Sequence, residues 1–361
     1  MLASSETNHL AVPSRVHGGL LDHELAELGI EPHEIVDFSV NTNPYGPQPA
    51  VVAAARAASI EIYPDPTGRS VREALGRHLD VDSDRLVLGN GEAELLWTAA
   101  AALIRPGDAV LIAEPTFSEF TAAARARGGR IAEWRASEED GFAVDLSAIE
   151  KRLRDCGATV AYLCTPNNPT GVGCPIEELI ELARRAARVT FVIDQAFLGL
   201  SDHYRDMDIS VPDNLILCRS LTKEHTIPGL RAGYVITTRE LALALERNRP
   251  PWTTSAPALA AILATIDEQP FVDQARLRLM KDRHYLAGAL GQLGLCPVAS
   301  TTSFVAVRVG HSGEVRRELL VGHRILVRDC RSFGLDGFIR IAARPRDQTE
   351  RLIAALAEVL P

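Results

Sequence analysis

Short apolar runs, each closed by a polar or glycine-marked turn and followed by a helical stretch, constrain the fold of this chain more than any other feature. The runs are Arg85–Leu88, Ala109–Ala113, Thr159–Leu163, Thr190–Ile193, Leu215–Cys218 and Arg231–Thr237. Between several of them lie alanine- and leucine-rich segments with helical spacing, at Glu92–Ile104, Glu119–Arg127 and Ile176–Ala187. A strand that is apolar on both sides has to be covered on both sides. The pattern therefore predicts an α/β fold built on a mainly parallel sheet between helical layers.

The texture changes after Glu240. A long helical region, Leu241–Arg249 and then Pro257–Leu293 with a break near Pro270, leads into strands Phe304–Val309 and Phe338–Ala343 and a closing helix Gln348–Leu360. This reads as a smaller α+β domain, and His17–Pro44, which precedes the first strand of the large sheet, is expected to pack with it. The expected division is a large domain over 46–245, a smaller one from 15–45 and 246–361, and a flexible tail over 1–14. That tail has neither a basic nor an apolar segment of the signal-peptide kind.

Composition narrows the class. With 361 residues, 46% hydrophobic and 24% charged, the chain has ample material for a core. A net charge of −9 argues against nucleic acid or an anionic membrane as partner. The six cysteines contain no CxxC pair and several fall inside strand-like runs, as expected of reduced thiols in a cytoplasmic protein. The longest apolar run, around Trp97–Ile104, is too short to span a bilayer.

In open α/β sheets, ligands bind beyond the carboxyl ends of the strands. Here those ends carry Gly89-Asn90-Gly91, Thr165-Pro166-Asn167-Asn168, Asp194 and Ser220 to Lys223. Eight residues past Lys223 stands Arg231. A hydroxyl, an amine and a guanidinium in one place suit a ligand with an electrophilic carbon and a phosphate. Each residue also has a plainer account. Taken alone, Lys223 reads as a solvated lysine, and Asp194 as a turn cap or an arginine's partner. Gly89 to Glu94 is either an ordinary strand-to-helix turn or a phosphate cup. As a dinucleotide loop it lacks the third glycine, since Glu94 stands there. Phe117 is a core residue or a face for a planar ring, and Tyr63 is a surface residue or one that reaches a neighbouring site.

Taken in order, these residues resemble the class I and II aminotransferases, fold-type I pyridoxal 5′-phosphate enzymes, over about His17 to Leu360. The spacing from Ser220 through Lys223 to Arg231 and the turn Pro166-Asn167-Asn168-Pro169-Thr170-Gly171 carry the likeness. The resemblance implies the aspartate aminotransferase-like fold, with a mainly parallel large domain and a smaller α+β domain. It implies pyridoxal 5′-phosphate bonded to Lys223, with Asp194 at the pyridine nitrogen, Asn168 at the ring 3′-oxygen and Phe117 stacked on the ring. Ser220, Arg231 and the amides of Gly91, Glu92 and Ala93 would hold the cofactor phosphate, and Arg340 the substrate α-carboxylate. Tyr63 would reach the partner subunit's cofactor phosphate, which implies a homodimer with shared sites. No metal is implied.

Within the family, His17-Gly18-Gly19, the segment Asp37 to Pro44, Pro251-Trp252 and Arg324 to Cys330 are most similar to the L-threonine-O-3-phosphate decarboxylases of cobalamin biosynthesis. That likeness gives His17 and Asn41 a role at a substrate phosphate, with Arg328 as added positive charge. The alternative is a histidinol-phosphate-type aminotransferase acting on another amino acid or amino phosphate. A non-catalytic cofactor-binding module is a remote third, since no basic winged-helix-like segment precedes His17 or follows Leu360. The sequence departs from the family at Leu20, Gln195, Phe197, Glu224-His225 and Thr253-Thr254-Ser255, and most of these are expected to flank the substrate.

Overall fold

The computed structural model describes residues 18–204 and 212–360. His17 and the expected tail over 1–14 lie outside the described residues. The strands are Val36–Asp37 (β1), Leu86–Asn90 (β2), Ala109–Glu114 (β3), Arg130–Arg135 (β4), Val160–Cys164 (β5) and Thr190–Asp194 (β6). They continue as Leu215–Ser220 (β7), Ala232–Ile236 (β8), Phe304–Arg308 (β9), Ile325–Leu326 (β10), Arg328–Asp329 (β11) and Phe338–Ala342 (β12).

Among the described residues, the larger sheet has the order β2-β8-β7-β6-β5-β3-β4, and only β8 runs against the others. Its strands send alternate side chains to opposite faces. Leu86, Leu88, Leu163, Ile193, Leu217 and Ile236 join one apolar cluster, where Leu75, Leu179, Leu182 and Ile262 from helices meet them. Val87, Ile112, Val192, Ile216 and Val235 join a second cluster with Leu95, Leu96, Phe120 and Leu245. Fully burying one such side chain contributes about 1.5–3 kcal/mol. Two helical layers on one apolar sheet therefore dominate the stability of this part of the chain.

The edge strand β4, Arg-Ile-Ala-Glu-Trp-Arg, is missing from the sequence-based expectation. It is charged and half exposed, as suits an edge, and so it lacks the continuous apolar signal of its neighbours. The helices Pro49–Ala57, Arg69–Leu79, Leu146–Cys156 and Ser312–His323 were likewise not expected. The break near Pro270 is present: helix Ala256–Thr265 passes through a 3-10 turn, Ile266–Glu268, into helix Gln269–Gln292. Pro270 sits in the first turn of the second helix, where its missing N–H costs nothing.

A smaller antiparallel sheet has the order β11-β12-β9, and β1 pairs in parallel with β10 beside it. Phe38, just after β1, is fully buried with Val305, Ile341 and Leu352. Among the described residues, no helix is long and apolar enough to cross a membrane.

Candidate active site

Residues that follow β2, β5, β6 and β7 (Ala93, Asn168, Phe197 and Lys223) meet at one cavity, whereas Asp194 and Ser220 do not line it. Ala93, Phe117, Asn168, Lys223, Arg231, Asn41, Arg328 and Arg340 line one cavity of about 370 Å³.

Lys223 lies in the single turn Leu221–Glu224 that follows β7 directly. Burial pulls its amine from an ordinary 10.5 to about 8, and Arg340 and Arg231 add to the effect. Its Nζ lies 5.9 Å from the centre of the Phe197 ring. The amine is thus buried and gives up its proton far more readily than a solvated lysine does.

Beside it is an anion cup. The helix Glu92–Leu103 begins after Gly91, so the first amides of that helix have no intrahelical acceptor. Gly91 has φ 75°, and a Cβ there would lie 2.3 Å from Nη2 of Arg231. Gly233 allows an equally close approach, since its Cβ would be 2.9 Å from the Glu92 amide. The guanidinium of Arg231, a residue in the left-handed region at φ 57°, therefore comes close to the start of the helix at Gly91. Ser220 and Thr222 share a hydrogen bond of 2.7 Å between their hydroxyls, but Ser220 lines a neighbouring cavity and not this one.

Asp194 ends β6 almost wholly buried. Tyr162, on the adjacent β5, donates its hydroxyl to Oδ2 at 2.7 Å, and the Ala196 amide donates to Oδ1 at 3.0 Å. The Glu92 carboxyl is buried beside it, and that burial, with the charge and hydrogen bond of Asp194, holds the Glu92 proton on well above the usual carboxylate range. Asp194 therefore stands as an oriented acceptor among neutral donors. Tyr162 and the Glu92 side chain escaped the sequence reading. A tyrosine inside an apolar strand was the available signal, because a buried phenol needs a partner.

On the opposite wall, the Arg340 guanidinium donates to Ser39 O at 2.7 Å and to Asn168 Oδ1. Asn41, with its amide oxygen turned to Arg340, accepts from Nε at 3.1 Å and from Nη1 at 3.2 Å. Burial lowers Arg340 to about 10, and Arg328 pushes the same way. Arg328 donates to the Ser332 hydroxyl at 2.7 Å and lies over the Phe333 ring. The two asparagines of the proline-rich turn separate in role. Asn167 locks the turn by donating to Pro115 O at 2.8 Å, and Asn168 faces the cavity.

Two expectations need comment. Tyr63 does not line this cavity; it is 81% exposed, its ring tilted 38° against that of Trp252 with centroids 4.9 Å apart. The expected placement of the departures beside the substrate fails for most of them. Gln195, Glu224 and His225 instead line a second cavity of about 460 Å³, and none of them lines this one. Leu20 packs in a small apolar cluster with Leu25 and Leu326, and Thr253 meets Arg249. Phe197 alone of that set lines the site.

The donor set fits pyridoxal 5′-phosphate. Helix-start amides, two hydroxyls and a guanidinium suit its phosphate, a buried carboxylate suits its ring nitrogen, and a depressed lysine suits its aldehyde. Fold and site together define a lysine-centred α/β enzyme that binds anionic small molecules. The chain belongs to the class I and II aminotransferase family, whose model matches residues 33–356. It is 32% identical to the threonine-phosphate decarboxylase of Salmonella typhimurium, over 97% of this chain and 98% of that one. It is also 32% identical to the histidinol-phosphate aminotransferase of Symbiobacterium thermophilum, over 92% of each chain. Among solved structures, the L-threonine-O-3-phosphate decarboxylase of Porphyromonas gingivalis superposes with a TM-score of 0.80 at 26% identity, over 90% of this chain and 99% of that one. The Sinorhizobium meliloti histidinol-phosphate aminotransferase, solved with pyridoxal-5′-phosphate, shares the fold with a TM-score of 0.84 at 24% identity, over 99% and 98%.

Proposed function

We propose that this protein is a pyridoxal 5′-phosphate-dependent decarboxylase of L-threonine O-3-phosphate, releasing CO₂ and (R)-1-amino-2-propanol phosphate. One observation carries the choice. Arg328 and Arg340 are direct cross-strand partners in the β11–β12 register, and both are about 5% exposed. Like charges directly opposite each other on neighbouring strands repel. A substrate with two anionic groups reverses the sign of that term, and a phosphorylated amino acid carries a carboxylate and a phosphate. The relatives named threonine-phosphate decarboxylase support the same reading.

The cofactor, when bound, supplies an electron-withdrawing ring that stabilises negative charge at the substrate Cα. Lys223 would hold its aldehyde. Ser220, Thr222, Arg231 and the amides of Gly91, Glu92 and Ala93 would hold its phosphate, with Asp194 at the ring nitrogen. Phe117 would cover one ring face, and the Nδ2 of Asn168 would meet the ring oxygen. Arg340 would take the α-carboxylate with its charge and the Nη2 N–H left over from its bonds to Ser39, Asn41 and Asn168. Arg328, Asn41 and His17 take the substrate phosphate. Phe197 brings a hydroxyl-free ring close to Lys223 and keeps water from its amine. With its pKa near 8, Lys223 Nζ can deliver a proton to Cα after the carboxyl group has left. Tyr63, together with exposed Ile60 and Ile62, forms an apolar surface suited to a second copy of the chain, across which Tyr63 reaches the partner's cofactor phosphate.

The second reading is transamination of a histidinol-phosphate-like amine. It is favoured by the relative from Symbiobacterium thermophilum and by the position of Lys223, which serves equally well as a base at Cα–H. Incubation of the cofactor-loaded protein with threonine phosphate and no keto acid decides between them. Accumulation of aminopropanol phosphate supports decarboxylation. Turnover of amino phosphates only when 2-oxoglutarate is added overturns it.

A further inference from the structure

The segment Ser39 to Asn43 spans the site from the carboxylate grip to the lysine. At one end, Ser39 O and the Asn41 amide hold the Arg340 guanidinium. At the other end, Asn43 holds the main chain of the lysine turn. Its N–H donates to Lys223 O at 2.9 Å, its Nδ2 donates to Glu224 O at 2.9 Å, and its own carbonyl accepts from Thr226 Oγ1 at 2.6 Å. Asn43 is fully buried, and Tyr45 N–H completes its side chain by donating to Oδ1 at 3.0 Å. The seam continues at Gly46, where a Cβ would lie 2.7 Å from Thr226 Oγ1. Apart from its interior neighbours on the turn, the lysine backbone is thus tied to a stretch 180 residues away in sequence.

We propose that Asn43 is a positioning residue that fixes Lys223 relative to Arg340 through this short segment. A substrate gripped by its carboxylate at Arg340 must present Cα to Lys223 Nζ, and displacements well below a bond length change proton-transfer rates steeply. Asn43 does not line the cavity. It acts by holding two successive carbonyls, Lys223 O and Glu224 O, so that the amine projects into the cavity from one fixed direction. The proposal rests on the reading of Lys223 as the cofactor-bearing lysine.

Three variants and three readouts test it. Asn43→Asp keeps the backbone donor and the Tyr45 acceptor but cannot donate to Glu224 O. Thr226→Ser is the conservative control that retains the bond to Asn43, and Thr226→Ala removes it. For each, the pH midpoint of the visible absorbance of the cofactor-loaded protein is measured alongside KM and kcat for threonine phosphate. Asn43→Asp is expected to shift the midpoint by about half a pH unit or more and to lower kcat about tenfold, with KM within about twofold because Arg340 is untouched. Thr226→Ala should move the same quantities less and in the same direction, and Thr226→Ser should not move them. A folded Asn43→Asp protein with an unchanged midpoint and kcat overturns the proposal. If that variant does not fold, an unchanged midpoint in Thr226→Ala overturns it. The midpoint does not depend on the substrate, so failure of the decarboxylase reading leaves this test standing. A wild-type protein with no titrating absorbance overturns the Lys223 reading and the inference with it.

Discussion

Tyr162 donates its hydroxyl to Asp194 at 2.7 Å while its ring lies nearly parallel to Phe120, centroids 4.9 Å apart and planes 11° from each other. The two residues sit on neighbouring parallel strands, so the sheet itself sets the bond. Stacking fixes the ring, the ring fixes the hydroxyl, and the hydroxyl fixes the orientation of the carboxylate.

Replacing Tyr162 by Phe keeps the stack and removes only the hydroxyl. The expected cost in stability is about 1–2 kcal/mol, the price of one buried acceptor losing a donor. Cofactor affinity should fall about tenfold, read from an absorbance titration of the apoprotein, since a less well oriented Asp194 holds the ring nitrogen less well. An unchanged affinity would remove Asp194 from that role.

The facing guanidiniums make a prediction of opposite signs. Arg328→Gln relieves cross-strand repulsion, so the ligand-free protein should melt no lower than wild type despite losing the bond to Ser332. The KM for threonine phosphate should rise about thirtyfold or more, as expected when a charge-assisted contact worth about 2 kcal/mol is lost. Thermal shifts and initial rates on the same preparation check both. A lower melting point with an unchanged KM would make Arg328 a structural residue.

Glu224 gives a pH dependence of stability. Burial raises its carboxyl from 4.5 to about 7, against the pull of Arg219 and Arg276, with Asp273 adding to the rise. The folded state then holds a proton that the unfolded state has already lost between these values. Stability from this group is fully present below about 4.5 and is lost as pH rises through about 7. Subtracting the denaturation midpoints of Glu224→Gln from those of wild type should isolate a decline across that window of up to roughly 3 kcal/mol. A flat difference would show that the carboxyl is ionised in the folded protein.

Much of the fold was legible in the sequence because strands buried on both faces leave an unbroken apolar signature, as in Thr190–Ile193 and Leu215–Cys218. The charged edge strand β4 left none. In the site, Lys223, Asp194 and Asn168 drew notice because their chemistry stands at or just past strand ends in a recognisable order, whereas Arg340, in the middle of β12, was reached only through the family resemblance. Tyr162, Asn43 and the Glu92 side chain were not legible, since their roles come from contacts between distant segments. Glu224 and His225 misled for a related reason. Adjacency to Lys223 in sequence does not place a side chain in its cavity, and both line the second cavity instead.

The most direct measurement follows the carboxyl carbon. Threonine phosphate labelled at that carbon is incubated with the cofactor-loaded protein, with and without 2-oxoglutarate, and with Lys223→Ala as control. Labelled CO₂ should appear at the same rate with or without the keto acid, matched by aminopropanol phosphate, and should be absent from the Lys223→Ala reaction. Label retained in an acid product, formed only when 2-oxoglutarate is present, would contradict decarboxylation and establish the transaminase.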